Sequence, residues 1–133
     1  MALNVDRTPD GRRLCVSRVI PATRDAAWDV LTDTNQWPDW GPSVRAVESS
    51  ERIVERGTTG SVTTPIGTVP FEITSCRDYR WTWRVAKLPA TGHRVENVRA
   101  DRCRVVFEIP LLAAGYAPVC QRALGRIEAL LRE

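Results

Sequence analysis

Apolar residues in the last two dozen positions constrain the fold most: Ala113, Tyr116, Ala117, Cys120, Ala123, Leu124, Ile127, Leu130 and Leu131 recur at three- and four-residue steps. That spacing is one apolar stripe along a helix. Gln121, Arg122, Arg126, Glu128 and Arg132 fall on the other side, so the helix has one wet face. A helix of this kind gains most of its stability by laying its stripe on something built earlier in the chain. Pro118 would clash with the carbonyl of Ala114 in a continued helix, which places the first turn at residues 115–118, where a missing amide costs little.

What precedes the helix reads mostly as strands. Residues 13–20 form a first strand closed by Pro21, and Thr23 is an N-cap for a helix over residues 24–32 with Ala27, Trp28 and Leu31 on its inner face. Residues 33–42 hold Trp37 and Trp40 among prolines and a glycine, with room for one short helical turn before Trp37. Strands are expected over residues 44–56, 61–64 and 69–74, the last placing Phe71 and Ile73 on one face. Trp81 and Trp83 share a face of the next strand, residues 80–86, and a loop over residues 87–92 leads to His93 and Val95. Cys103, Val105, Phe107 and Ile109 line one side of the final strand, which Pro110 ends. The class is therefore α+β, with a sheet wrapped round the terminal helix. Residues 1–12 are polar and end in the turn composition Thr8-Pro9-Asp10-Gly11, so they are expected to be a flexible lead-in to a single domain over residues 13–133.

Composition narrows the function classes. At 133 residues the chain can bury a core without disulfides or a structural metal. No apolar run approaches the roughly 20 residues of a membrane span. The opening residues lack the apolar centre of a secretory signal, so the expected location is cytoplasmic. Lys87 is the only lysine among 19 basic residues, and the arginines are scattered among 16 acids for a net charge of +3, which is not the clustered basic face of a nucleic-acid binder. Cys15, Cys76, Cys103 and Cys120 have no Cys-x-x-Cys spacing and there is one histidine, so reduced structural thiols and no metal or cofactor are expected.

The element order, with the succession Pro21-Ala22, Trp28, Leu31-Thr32-Asp33 and Trp37-Pro38-Asp39-Trp40, resembles the polyketide cyclase/dehydrase branch of the START-like (SRPBCC) superfamily. The likeness runs over about residues 13 to 132. It implies the helix-grip fold: two short helices after the first strand, and a curved seven-stranded antiparallel sheet gripping the terminal helix around a cavity for a hydrophobic small molecule. The opening motif is structural and carries no catalytic set.

Given that resemblance, the expected cavity residues are Trp37, Trp40, Phe71, Ile73, Trp81, Trp83, His93, Val95, Phe107, Tyr116, Cys120 and Leu124. Trp81 and Trp83 either line a cavity or fill the core, and Trp37 and Trp40 either lid its mouth or anchor their loop. His93 is either a group that moves a proton at a ligand carbonyl or a partly exposed residue at a strand start. Tyr116 either hydrogen-bonds a ligand oxygen or is a satisfied core tyrosine. Two functions follow from a cavity, and a third, binding of a protein partner at the surface, would follow if the cavity were collapsed. One is binding of a lipid-like or aromatic, polyketide-like molecule. The other is a cyclase, aromatase or dehydratase that works by positioning its substrate, with His93 or Tyr116 in proton transfer. Oligomeric state is not encoded in these patterns.

Overall fold

The computed structural model describes residues 1–132. Eight strands, β1 (Ala2–Thr8), β2 (Gly11–Ile20), β3 (Ala46–Ser49), β4 (Thr59–Thr64), β5 (Gly67–Arg77), β6 (Arg80–Val85), β7 (Leu88–Arg99) and β8 (Arg102–Pro110), form one open sheet. Their order is β1-β2-β8-β7-β6-β5-β4-β3, with every neighbouring pair antiparallel. The helices are α1 (Arg24–Thr32), the single turn α2 (Trp37–Trp40) and the long α3 (Ala117–Leu131). The sheet wraps α3, so this is the helix-grip fold with eight strands instead of seven.

The eighth strand lies where a flexible lead-in was expected. β1 pairs residue for residue with β2, from Ala2↔Ser17 to Thr8↔Gly11. Gly11 takes the left-handed φ of +104° that this turn requires, and Thr8 Oγ1 donates to its carbonyl at 2.7 Å. An edge strand is held by backbone bonds more than by burial, and residues 2–7 are exposed, so their composition carries little strand signal.

Two further expectations are corrected. Only Ala46–Ser49 of the expected strand over residues 44–56 joins the sheet. Beyond it the backbone turns to meet the end of α1: Thr34 N–H donates to Arg52 O at 2.8 Å and Val54 N–H to Thr32 O at 2.9 Å. β7 begins at Leu88, so the expected loop over residues 87–92 is mostly strand.

α3 begins at Ala117, with Pro118 in its first turn. Leu111–Tyr116 is a separate 3₁₀ segment, which takes Ala113 and Tyr116 off the helix stripe. Ala117, Cys120, Ala123, Leu124 and Ile127 are buried against the sheet. Glu128 is also buried, because Arg18 Nε donates to it at 2.6 Å and Arg132 pairs with it at 2.9 Å. All four cysteines are free. Among the described residues no helix is long and apolar enough to cross a membrane.

Candidate ligand cavity

A cavity of about 300 Å³ lies between the sheet and α3. Thr23 Oγ1 caps α1 by accepting from Ala26 N–H at 3.1 Å. At the other end of that helix, free carbonyls accept indole N–H groups from α2: Trp37 Nε1 donates to Leu31 O at 3.0 Å and Trp40 Nε1 to Val30 O at 3.1 Å. These bonds swing both rings inward, where Trp37 and Trp40 become cavity wall.

β6 and β7 supply the facing wall. Trp81 stacks between Trp37, at 5.3 Å and 7° between planes, and the His93 ring, at 3.8 Å and 19°. Trp83 meets Trp37, Trp81 and Phe71 edge-on or tilted at 5.3–5.7 Å. Trp40 and His93 both meet Phe107 of β8. Offset and edge-on pairs of this kind add to the burial that aromatic rings already supply.

His93 is 2% exposed, and its ring is held on both nitrogens. Nδ1 faces Trp81 O at 3.4 Å, so Nδ1 carries the proton and donates. Nε2 is then the acceptor, and Thr91 Oγ1 donates to it at 3.0 Å while accepting from Trp83 Nε1 at 3.2 Å. Burial pushes the imidazole pKa down to about 3 against the upward pull of the Trp81 carbonyl, so the ring is neutral at physiological pH. Trp37, Trp40 and Trp83 all have acceptors for their indole N–H groups. That of Trp81 is buried with none.

At the mouth the Tyr116 and Ser43 hydroxyls share a hydrogen bond of 2.6 Å, joining the segment before α3 to the loop after α2. Burial raises the Tyr116 phenol while the bond to Ser43 pulls it down. Cys120 lines the cavity with its thiol pushed up to about 12 by burial, which leaves it without nucleophilic thiolate.

Of the residues expected from the sequence, Trp37, Trp40, Trp81, Trp83, His93, Phe107, Tyr116 and Cys120 line the cavity. Phe71, Ile73, Val95 and Leu124 do not reach it and are packed in the core. His93 lies inside the strand, not at an exposed strand start. Thr91 was missed because it fell in the expected loop, although it shares parity with His93 and Val95. Ser43 had no sequence signal, since its role depends on a residue 73 positions away. Among the described residues no three His, Cys, Asp or Glu side chains gather as a metal site.

The convex face of the same strands is built from charge. Glu108 of β8 is 1% exposed and accepts from Arg80 Nη2 at 2.7 Å and Arg94 Nη1 at 2.5 Å. Arg80 also reaches Asp10 at 2.8 Å, and Arg94 reaches Glu96 at 3.0 Å. Burial alone would raise the Glu108 carboxyl, but the hydrogen bonds and charges of the two arginines hold it below the usual range. Gly92 makes room for this carboxylate, since a Cβ there would sit 2.7 Å from Glu108 Oε1. A cleft on this face shares Trp83, Pro89 and Ala90 with the cavity, so the wall between the two is thin there.

Comparison with solved structures finds the same fold at low identity. The aromatase/cyclase ZhuI from Streptomyces sp. R1128 superposes with a TM-score of 0.71 at 14% identity, covering 90% of this chain and 93% of that one. The protein XoxI from Bacillus cereus gives 0.69 at 14% identity, with 88% and 93% covered. Protein Ms6760 from Mycobacterium smegmatis gives 0.62 at 19% identity, with 98% of each chain covered. No curated protein sequence matches the chain. The family described as polyketide cyclase/dehydrase and lipid transport matches residues 12–132, and the chain belongs to that family.

Proposed function

We infer that the protein binds one compact, hydrophobic, aromatic small molecule in the cavity between the sheet and α3. The observation that carries this reading is a space of about 300 Å³ walled by Trp37, Trp40, Trp81, Trp83 and Phe107 with no charged side chain in its lining. That volume is at the lower end of the roughly 300–1,000 Å³ typical of small-molecule sites, which suits one or two fused rings better than a two-chain lipid. Flat rings offer a planar ligand stacking surface.

Titration of intrinsic tryptophan fluorescence with flat aromatic polyketides, isoprenoid quinones and fatty acids tests the reading. Saturable quenching at one aromatic ligand per chain, weakened in Trp83→Ala, is expected. Quenching that Trp83→Ala leaves unchanged would move the site elsewhere.

A second reading, cyclisation or dehydration of a polyketide-type chain, draws on family membership and on the hydroxyl pair Ser43–Tyr116 at the cavity mouth. Holding a flexible chain in one folded geometry would supply most of the acceleration. In this reading Tyr116 is the better proton carrier, because the His93 lone pair is occupied by Thr91 and its pKa of about 3 makes it a weak base. Product formation lost in Tyr116→Phe but retained in His93→Phe is the expected pattern. Equal turnover in both variants would remove these residues from the chemistry.

A further inference from the structure

Four segments surround the opening of the cavity: residues 41–45, 63–69, 84–90 and 110–116. Each contributes lining residues, among them Val44, Thr64, Val85 and Ala113. Large apolar side chains stand out from three of these segments, at positions the lining does not use. Leu112 and Ile66 are 105% and 97% exposed, and Leu88 is 68% exposed. Apolar residues scattered singly over a surface are ordinary, but these gather round one opening.

Charge in the same segments has one sign. Arg45, Arg84 and Lys87 fall in them and none of the chain's 16 acidic residues does, although Arg84 stands on the convex face, in the cleft with Asp10 and Glu108 and across from Glu72. Among the described residues none of these three cations is in an ion pair. Lys87 stands beside Leu88 on the two-residue β6–β7 turn, whose Ala86 and Lys87 hold φ of +52° and +68°, a conformation uncommon outside glycine. The comparable residue of the β5–β6 turn, Tyr79, is tied to α1 by a 2.5 Å hydrogen bond to Asp25 and by the Arg24 guanidinium over its ring. The β6–β7 turn has a backbone bond, Ala86 N–H to Pro70 O, and points its side chains outward.

We propose that this rim seats the cavity mouth on an anionic lipid bilayer, with Ile66, Leu88 and Leu112 entering the headgroup boundary and Arg45 and Lys87 facing anionic headgroups. Shape favours a bilayer over a protein partner. The apolar tips rise separately from three different turns, and a soft phase closes round each one, whereas a protein would need a matching pocket for every tip. Arg45 and Lys87 give the rim a cationic field toward such a surface. The proposal goes beyond ligand binding but connects with it: a docked mouth admits a membrane-partitioned molecule to the cavity without passage through water.

Co-sedimentation of the full chain tests this, using phosphatidylcholine vesicles with and without roughly one third phosphatidylserine. Binding to the phosphatidylserine vesicles that weakens with added salt is expected, reduced at least about tenfold in the double variant Ile66→Asp/Leu112→Asp. Neither residue lines the cavity and both are exposed, so the variant keeps the native unfolding midpoint and fluorescence response to ligand. A native chain that stays in the supernatant with both vesicle types at low salt overturns the proposal. So does a double variant that sediments like the native chain. A native dimer that the double variant dissociates, without vesicle binding, assigns the rim to a second copy and also overturns it. Vesicle binding without any small-ligand response supports docking and removes the cavity reading, and the converse result does the opposite.

Discussion

His93 on β7 and Glu108 on β8 lie on opposite faces of neighbouring strands, one step apart in register, and each is at most 2% exposed. The imidazole sits among aromatic rings and is kept neutral, while the carboxylate sits among guanidinium groups and is kept charged. Desolvation opposes the charged form of both. What differs is the company each face provides. The concave face offers the ring only neutral dipoles, from Thr91 and the Trp81 carbonyl, whereas the convex face offers the carboxylate two cations within 3.2 Å. Charge is thus kept on the side of the sheet away from the cavity, and a hydrophobic ligand entering that cavity meets no ion whose hydration it must replace.

If this division holds, damage to the two faces should be separable. Trp81→Ala should have the largest effect, about 3–5 kcal/mol of stability in urea unfolding, because it removes the middle ring of the His93–Trp81–Trp37 stack. It should also abolish ligand quenching. Glu108→Ala should cost about 3 kcal/mol by leaving Arg80 and Arg94 half-buried without their shared partner, yet leave ligand quenching unchanged. A ligand affinity altered by Glu108→Ala would break the comparison, since the faces would then be coupled.

Acid sharpens the contrast. His93 has a folded pKa of about 3 against 6.5 for an unperturbed imidazole, so below pH 6.5 the unfolded chain binds a proton that the folded chain refuses. Its contribution is complete above pH 6.5 and lost as pH falls towards 3, with a slope of about 1.4 kcal/mol per pH unit. Glu108 is also depressed, so its contribution is present above its reference value of 4.5 and fades only below it. Urea unfolding between pH 6.5 and 4.5 should therefore show a slope that His93→Phe flattens, with further loss below pH 4.5 in both proteins. The smallest effect belongs to the mouth. Tyr116→Phe removes the bond to Ser43 at a site 40% exposed and should cost about 0.5 kcal/mol in the same assay.

The fold was legible where periodicity is long. The α3 stripe and the alternation of Trp81 with Trp83 and of Val105 with Phe107 and Ile109 read directly as buried faces. Legibility failed where partners are distant or backbone alone decides. β1 is held by main-chain bonds at an exposed edge, and Glu108, placed by alternation on the outer face, is buried there only because Arg80 and Arg94 fold over it. Register shifts between Ile73 and Ser75 and between Thr82 and Arg84 also blur parity, bringing both Thr74 and Ser75 within hydrogen-bond reach of Thr82. Phe71, Ile73, Val95 and Leu124 point inward as their patterns require, but alternation gives a side and no depth, so it could not separate cavity wall from packed core.

The two indoles that satisfy the end of α1 have a dynamic consequence. Leu31 and Val30 carbonyls depend on Trp37 and Trp40, the same rings that wall the cavity. Any molecule wedged against those rings restrains them, and through them the last turn of a helix it never touches. Occupancy of the cavity should therefore be visible as slower hydrogen exchange at the C-terminal amides of α1, making that turn a built-in reporter of whether the chamber is full.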